Sequence, residues 1–392
     1  MVPAASLDPS EPAAQWYLSP GPRAPADELP ARKLIAEGLA RLAAEAGVPA
    51  PARDGRLDRL ADDVARLRPM QQTPSFELIS FLMSHYGVVE PEPQMKYGEA
   101  DPRAPLLILE NLRPQVVQAL REIPRPKVGV GLAMTGDYLS VVLALQPQNL
   151  ELRPVPRILS AGLVAHLAGR LYSGYLLPRV IVSFADGTVD DLRVKGTAGG
   201  FEAAVGCRLD RRGIMQVEIT ATTERGPTVL ANFPIFCATE PPAHSPELVL
   251  DTSGSIDPEG VEAQLLALVN RDRARQGLGL LRLDRRLRDV ARAYSREMAE
   301  TGQVGHLSAR SGNVADRLKR ARVEVMLAGE NVGLDYSAAG AHRGFMSSPG
   351  HRGNIVDPRM TVVGIGVIPG SQRNANNLVP LFITQVFAAG SN

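Results

Sequence analysis

The chain has 392 residues, of which 44% are hydrophobic and 22% charged, and its 43 Lys+Arg nearly balance 42 Asp+Glu. This length predicts two to three domains. The near-neutral charge argues against a nucleic-acid surface or an anionic-membrane binder, because both need a sustained basic excess. No run of about 18 apolar residues occurs, which argues against a transmembrane segment.

Residues 1–26 read as a polar, Pro-rich N-terminal tail that contains the only tryptophan, Trp16. The tail lacks the basic-then-apolar layout of a secretory signal, so no signal peptide is visible. Whether a signal or lipid-anchor segment was removed before this numbering begins stays open.

The block 27–147 is predicted to begin with helices and to end in strands. Its runs LIAEGLARLAAEAG and LDRLADDVARL place apolar residues near helical spacing. The closing run KVGVGLAMTGDYLSVVLAL contains two β-rich segments around the turn TGD.

The block 148–240 shows short strands divided by regular turns, including a hairpin at Asp186-Gly187. Such spacing predicts a small immunoglobulin-like β-sandwich. Cys207 and Cys237 both fall on predicted strands, where either a disulfide between sheets or two buried free thiols would fit. Residues 241–254 then read as a linker by composition.

The block 255–392 begins with an amphipathic helix, for which Asp257 and Pro258 supply the cap and the first turn. A second helix follows, and the end is strand-rich, with TVVGIGVIPG and LVPLFITQVFA.

Two internal matches suggest that the first and last blocks are repeats. LDRLADDVAR from Leu57 and LDRRLRDVAR from Leu283 agree at seven of ten positions with an offset of 226 residues. VGVGL from Val128 recurs as VGIGV from Val363. Because both matches occur in the same order, the hypothesis is a domain, a sandwich and a second copy of the domain.

The last block resembles the bacterial branch of the CAP superfamily, which comprises cysteine-rich secretory, antigen 5 and pathogenesis-related 1 proteins. The matching motifs cover about 130 residues in the family's order: LVNRDRARQGLGLL, Gly305-His306, AGENV, FMSSPGHRGNI and VVGIGV. The resemblance implies a three-layer α-β-α sandwich. The expected fold class is therefore multidomain α+β, with two α-β-α sandwich CAP-like domains flanking the β-sandwich.

In that family two histidines and one or two glutamates line a cleft, and the resemblance transfers these roles to His306, Glu330 and His351. The Pro-Gly pair in front of His351 is expected to end a helix and turn the imidazole toward the cleft. Ser348 stands where animal members carry the second Glu. Asn354 is expected to anchor the following loop through side-chain to backbone hydrogen bonds.

Two imidazoles and a carboxylate allow three roles. His306 and His351 could bind a divalent metal such as Zn²⁺. His306, Glu330 and His351 could instead perform acid–base catalysis without a metal, or the three side chains could only fix the shape of the cleft. The sequence has no G-x-S-x-G elbow and no H-E-x-x-H motif.

The first block has neither a GEN motif nor a histidine at the corresponding place, so we interpret it as a degenerate copy without a site. The leading hypothesis is an extracytoplasmic, non-enzymatic protein whose cleft binds a divalent metal and a small or lipidic ligand or a cell-envelope component. The alternatives are a metal-assisted hydrolase of envelope peptide or glycan, and a scaffold or adhesion protein that uses the sandwich and the inert copy.

Overall fold

The computed structural model describes residues 9–18, 30–67, 74, 76–197, 200–224, 226–245, 257–371 and 378–389. The chain divides into two compact units. Unit 1 comprises Met1–Ser173, Arg193–Ile214 and Leu230–Leu250, and unit 2 comprises Gly174–Leu192, Met215–Val229 and Asp251–Asn392. Most of the predicted tail and part of the predicted linker lie outside the described residues.

The first part of unit 1 contains four helices and four strands. They are α1 (Pro30–Glu45), β2 (Ala52–Arg53), α2 (Gly55–Leu67), α3 (Phe76–Tyr86), β3 (Gln94–Ala100), α4 (Leu107–Glu122), β4 (Pro126–Thr135) and β5 (Tyr138–Pro147). The sheet has the order β2-β4-β5-β3, in which β2 is parallel to β4 and the other neighbours are antiparallel. Separate apolar clusters pack α1 with α4 and α2 with α3 around this sheet.

The remaining strands of unit 1 are short and come mainly from the middle block. They are β1 (Trp16–Tyr17), β6 (Leu150–Leu152), β7 (Val155–Pro156), β8 (Ile158–Leu159), β9 (Val164–Leu171), β12 (Lys195–Thr197), β13 (Gly200–Gly206) and most of β15 (Gly226–Cys237). One sheet has the order β12-β13-β9-β6, and β1 pairs with β7. A disulfide joins Cys207 to Cys237, which decides between the two thiol states that the sequence left open.

The strand β1, which falls within the predicted tail, contributes Tyr17 to the core of unit 1. Tyr17 is fully buried, and its hydroxyl donates a hydrogen bond to the Pro234 carbonyl over 2.5 Å. The interpretation of residues 1–26 as a polar tail was therefore wrong for β1, because an aromatic side chain with a hydroxyl tip can be buried once that tip finds a partner.

Unit 2 contains the C-terminal block and three strands of the middle block. Its elements are β10 (Leu176–Ser183), β11 (Val189–Leu192), most of β14 (Gly213–Thr223), α5 (Pro258–Arg275), β16 (Arg282–Leu283), α6 (Arg285–Thr301), α7 (Val314–Arg320), β17 (Leu327–Asp335), α8 (Ala338–Ser347), α9 (Pro349–Val356), β18 (Val362–Pro369) and β19 (Leu381–Ala389). The C-terminal sheet has the order β16-β18-β19-β17. β10 pairs antiparallel with β11, across the predicted turn, and with β14.

The five helices of unit 2 that the structure describes begin at side-chain caps, which for α8 and α9 are Ser337 and Ser348. Asp257 accepts a hydrogen bond from the Glu259 amide, as predicted, and Asp284 accepts one from the Leu287 amide. Asn313 and Asp316 form a reciprocal capping box at the start of α7. These caps satisfy backbone N–H groups that have no partner within the helix.

The sheets β2-β4-β5-β3 and β16-β18-β19-β17 each pack a helix onto paired glycines of one strand. A Cβ atom on Gly364 would lie 2.0 Å from the Leu287 carbonyl carbon of α6. A Cβ atom on Gly129 would lie 2.2 Å from the Leu57 carbonyl carbon of α2. Only glycine permits such a close approach of two backbones.

These contacts show that the helix match found in the sequence is out of register. Leu57 occupies the place of Leu287, and β2 the place of β16, so the structural offset is 230 residues rather than 226. The error of four residues is close to one helical turn, which returns apolar positions to the same face. The strand match of Val128 with Val363 is in structural register, because the glycines that follow both contact the helix.

The observed architecture is thus a mixture of helices and β-sheets. The immunoglobulin-like sandwich and the second domain copy remain predictions. No helix in the part of the chain that the structure describes is long and apolar enough to cross a membrane.

Candidate functional site

The structure brings two of the predicted site residues into a hydrogen bond. Glu330 lies on β17, and His306 lies in the segment between α6 and α7. His306 Nδ1 is 3.1 Å from Glu330 Oε1. The Glu330 side chain is only 3% exposed, whereas that of His306 is 28% exposed. Because Nδ1 faces the carboxylate, Nε2 is the imidazole nitrogen left for a ligand.

A buried arginine holds the second oxygen of the same carboxylate. Arg317 of α7 donates from Nη2 to Glu330 Oε2 and from Nη1 to the Gly312 carbonyl. Its Cζ atom lies 3.4 Å from the centroid of the Tyr294 ring. The planar guanidinium holds the Glu330 carboxylate in one orientation. The oxygen that contacts His306 is therefore fixed in place.

Tyr294 extends this network to the backbone next to His306. Its hydroxyl donates to the Gly305 carbonyl over 2.5 Å. Burial raises the pKa of Tyr294 to about 12, so the hydroxyl keeps its proton at neutral pH. Tyr294 and Arg317 thus fix both the backbone and the side-chain partner of His306.

The chain around the Pro-Gly pair contains a junction between two helices. α8 ends at Ser347, Ser348 caps α9, and Pro349 is the first residue of α9. His351 therefore lies in the first turn of a helix, and its backbone N–H donates to Ser348 Oγ over 3.4 Å. The predicted end of a helix was correct, but the helix that begins directly after it was missed. Proline at the first helical position is typical of such a start.

His351 completes the cleft opposite His306. The centroids of the two imidazoles are 5.8 Å apart, and the edge of His351 meets the Phe345 ring with 5.3 Å between centroids. Burial, assisted by the nearby His306, lowers the pKa of His351 to about 3. His351 is therefore neutral at physiological pH, which is the form that binds metals and accepts hydrogen bonds.

Asn354 holds the segment after the cleft, as the sequence predicts. Its Nδ2 donates to the Glu330 carbonyl over 3.1 Å and to Asn331 Oδ1 over 2.9 Å. Asn331 in turn donates to the His351 carbonyl over 3.2 Å. The two asparagines therefore connect the strand that carries Glu330 to the helix that carries His351.

Sequence reasoning missed a buried carboxylate at this junction. Glu218 of β14 accepts a hydrogen bond from Ser348 Oγ over 2.5 Å and another from the Gly350 amide over 3.0 Å. It is 1% exposed. The sequence signal was weak: a single acid within the otherwise apolar and hydroxyl-bearing run VEITAT.

A cavity of about 710 Å³ lies beside His306 within unit 2. Its walls combine apolar side chains with polar groups, and they include Tyr175, Pro227, Tyr294, Met298, Leu307 and Ser308. This volume is in the range of pockets that hold small organic molecules.

Residues 266–387 match the profile of the family described as CAP: Cysteine-rich secretory protein family. This part of the chain is a CAP domain. The matched range contains the His306–Glu330 pair, His351 and the helix junction before it, so the resemblance stated from the motifs is confirmed for these residues.

Two curated relatives each match about a third of this chain or less. The chain is 35% identical over 107 residues to an uncharacterized membrane protein of Bacillus subtilis, YlbC, covering 27% of this chain and 31% of the relative. It is 30% identical over 132 residues to the uncharacterized protein YkwD of the same organism, covering 33% and 51%. The chain thus spans about a third to a half of the length of these relatives.

Two solved bacterial proteins also show similarity to this chain. One is an extracellular protein containing a SCP domain from Bacillus anthracis, with 19% identity, a TM-score of 0.31 and coverage of 62% of this chain and 86% of that one. Another is a cysteine-rich secretory protein from Staphylococcus aureus, with 12% identity, a TM-score of 0.27 and coverage of 68% and 85%.

The CAP domain supplies few donors for a metal ion. Among the residues that the structure describes, no group of three or more His, Cys, Asp or Glu side chains is placed to hold one. Glu330 is already engaged by Arg317 and His306, which leaves the imidazoles of His306 and His351. Catalytic zinc sites have three protein ligands and structural sites four, so this donor set does not fit a resident zinc ion.

His342 does not belong to the cleft pair. It lies on α8, where its Nε2 is 2.7 Å from Asp272 Oδ2. Burial lowers the pKa of His342 despite this carboxylate. The bond ties α8 to α5, which is a structural role.

Proposed function

We propose that the chain is a non-enzymatic binding protein whose CAP cleft, formed by His306, Glu330 and His351, takes a small or lipidic ligand. The observation that carries the proposal is the position of His306. It is paired through Nδ1 with a fixed carboxylate and lies in the wall of a cavity of about 710 Å³.

The chemistry of the cavity favours binding over turnover. Met298 and Leu307 give the wall apolar area, and His306 gives it an orientable hydrogen-bonding group. Ligand pockets of proteins commonly combine such apolar walls with a few fixed polar groups. Ser308 of this wall is engaged by Glu297, so its hydroxyl is held rather than activated as a nucleophile.

The proposal includes a divalent cation only as an exchangeable second ligand. His306 Nε2 and a ring nitrogen of His351 would hold it, with water completing its coordination. The Glu330 carboxylate would orient His306 from the other side of the ring, as carboxylates behind metal-bound histidines do. A bound cation would supply Lewis acidity, but no step of the proposed function depends on it.

The cation part is tested by calorimetric titration of the full chain with ZnCl₂. His306→Ala/His351→Ala should weaken zinc binding by about tenfold or more. His166→Ala is the matched control, because His166 is an exposed histidine on β9 of unit 1. Equal binding by all three proteins would assign the zinc to surface groups and end the cation proposal.

The ligand part is tested with a fluorescent fatty acid, cis-parinaric acid. Its fluorescence should rise with the wild-type chain and stay low with Thr228→Trp, which fills the cavity. Leu209→Trp is the control, since Leu209 is 65% exposed and is not in the cavity wall. A wild-type chain that leaves the fluorescence of the probe unchanged would contradict a lipidic ligand.

A hydrolase of envelope peptide or glycan is the second candidate, favoured by the His306–Glu330 hydrogen bond. A carboxylate that orients an imidazole lets Nε2 take a proton from water. Release of soluble fragments from purified bacterial envelope, lost in His306→Ala, would establish this activity. Equal release by wild type and variant would reject it.

We further infer an extracytoplasmic location and a degenerate N-terminal copy. The Cys207–Cys237 disulfide supports the location, since such bonds persist in oxidising compartments. The sheets β2-β4-β5-β3 and β16-β18-β19-β17 have the same strand order, which supports the degenerate copy. If the protein is only a scaffold built on these parts, loss of both cleft histidines will leave its cellular role unchanged.

A further inference from the structure

The junction between α8 and α9 is held from outside both helices by a carboxylate of the middle block. The Glu218 oxygens accept separate hydrogen bonds, one from the Ser348 hydroxyl at 2.5 Å and one from the Gly350 amide at 3.0 Å. Glu218 lies on β14, 130 residues before Ser348 in the chain. All of these residues belong to unit 2.

The same hydroxyl links Glu218 to the backbone of His351. Ser348 Oγ donates to Glu218 and accepts the N–H of His351 over 3.4 Å. A hydroxyl can do both because it carries one donor and two acceptor sites. Glu218 is therefore connected to the backbone N–H of His351 through two hydrogen bonds that share the Ser348 hydroxyl. This backbone lies in the first turn of α9 and sets the direction of the His351 ring.

The Pro-Gly pair fits this contact sterically. A Cβ atom on residue 350 would lie 2.8 Å from Glu218 Oε1, so a larger residue there would push the carboxylate away. Glycine lets the amide of residue 350 approach the oxygen directly. The glycine in front of His351 thus has a reason in the carboxylate as well as in the turn.

Burying a carboxylate costs desolvation free energy, and a hydrogen bond from the start of α9 offsets part of this cost. The Gly350 N–H is one of the first-turn amides that lack a partner within a helix. A negative charge near a helix N-terminus is also favourable. Burial nevertheless raises the pKa of Glu218, so this position is costly for a group that only fills space.

We propose that Glu218 is a positioning residue of the CAP cleft, which holds the α8–α9 junction and thereby His351. The cleft is then composite: the C-terminal block supplies both imidazoles and Glu330, and β14 supplies a second carboxylate next to Ser348. This inference deepens the proposed binding function and rests on it for its biological meaning, but its geometry can be tested without any ligand.

The test is nuclear magnetic resonance of the full chain with ¹³C-labelled histidine, in a chelator. His351→Gln assigns the ring signal of His351, which senses the rings of Phe345 and His306. We expect Glu218→Ala to move this signal toward the value of an exposed histidine. Glu218→Gln should restore much of the wild-type position, because its amide oxygen can still accept a hydrogen bond.

Asp191→Ala is the matched control. Asp191 lies on β11, which pairs with β10 as β14 does, and it forms an exposed ion pair with Arg179. It should leave the His351 signal in place. A folded Glu218→Ala protein with an unmoved His351 signal would overturn the proposal. If Glu218→Ala does not fold, Glu218→Asp decides, because its shorter side chain draws the carboxylate away from Ser348 Oγ and the Gly350 amide: a moved His351 signal supports the proposal, and an unmoved one overturns it.

Titration of the same samples with cis-parinaric acid and ZnCl₂ separates this inference from the proposed function. A His351 signal that depends on Glu218 in a chain that binds neither probe would retain the positioning role and reject the binding function. If the chain binds a probe and its His351 signal does not depend on Glu218, the binding function is retained and the positioning role is rejected.

Discussion

The sheets β2-β4-β5-β3 and β16-β18-β19-β17 have the same strand order, and each packs a helix onto paired glycines, but they differ at the position of Glu330. Strand register places Met95 of β3 where Glu330 stands on β17, because each lies opposite the partner of the first packed glycine. A thioether thus replaces the carboxylate that orients His306. The packing of helix on sheet depends on the close backbone contact at the glycines, whereas the cleft depends on individual side chains such as Glu330.

Each of these two sheets carries a half-buried ion pair between two of its helices, with the positions of the acid and the base exchanged. Arg32 of α1 binds Asp62 of α2 at 2.9 Å, and Glu262 of α5 binds Arg292 of α6 at 2.7 Å. In each case the carboxylate also accepts a strand amide, from Leu132 or from Val367. The position therefore requires one acid, one base and an acceptor for the strand, but not a given order of charges.

The largest effect is expected from giving the CAP domain the residue of its counterpart, Glu330→Met. Loss of the carboxylate leaves the buried Arg317 guanidinium without its charge partner, which should cost about 3–5 kcal/mol of unfolding free energy. Hydrogen exchange of β18 and β19 amides measures it. Met95→Leu is the control and should cost below about 1.5 kcal/mol. Equal costs would mean that Glu330 is not held as described.

The second effect is a pH dependence of the unfolding free energy that comes from the imidazole of His351 in unit 2. The folded pKa of His351 is about 3, and that of an unfolded histidine is about 6.5. Between these values the unfolded chain binds the extra proton, so the free energy of unfolding falls as pH drops through this window.

At pH 4 the wild type should lose about 2–3 kcal/mol relative to pH 7 beyond any loss in His351→Gln. The loss that remains in His351→Gln comes from the other groups of the protein, so the difference isolates His351. Hydrogen exchange of unit 2 in a chelator gives the measurement. Parallel pH profiles of the two proteins would show that the imidazole is not buried in the neutral form.

The smallest effect should come from reversing the exchanged ion pair. Glu262→Arg places two cations together and removes the acceptor of the Val367 amide, which should cost about 2 kcal/mol. Adding Arg292→Asp recreates the arrangement of Arg32 and Asp62 and should recover at least half of that loss. No recovery would show that the two helix pairs are not equivalent.

The pairing of distant side chains explains why part of the site could not be predicted. His306, Glu330 and His351 were found because they lie in local motifs of one domain. Glu218 was missed because its partners are 130 and 132 residues away, and nothing in the run around it announces them. The contact of Arg317 with Glu330 became evident only in the fold.

The sequence by itself determined the features that depend on neighbouring residues. These include the cap at Asp257, the hairpin at Asp186-Gly187, the strand pairs that end both blocks and the order of the CAP motifs. Periodicity could not set the register of α2 against α6, because a shift of about one turn leaves the same face apolar. Tertiary structure set that register through the glycine contacts, joined Cys207 to Cys237 and brought Glu218 to the α8–α9 junction. All three depend on chain closure over long separations, which local patterns do not encode.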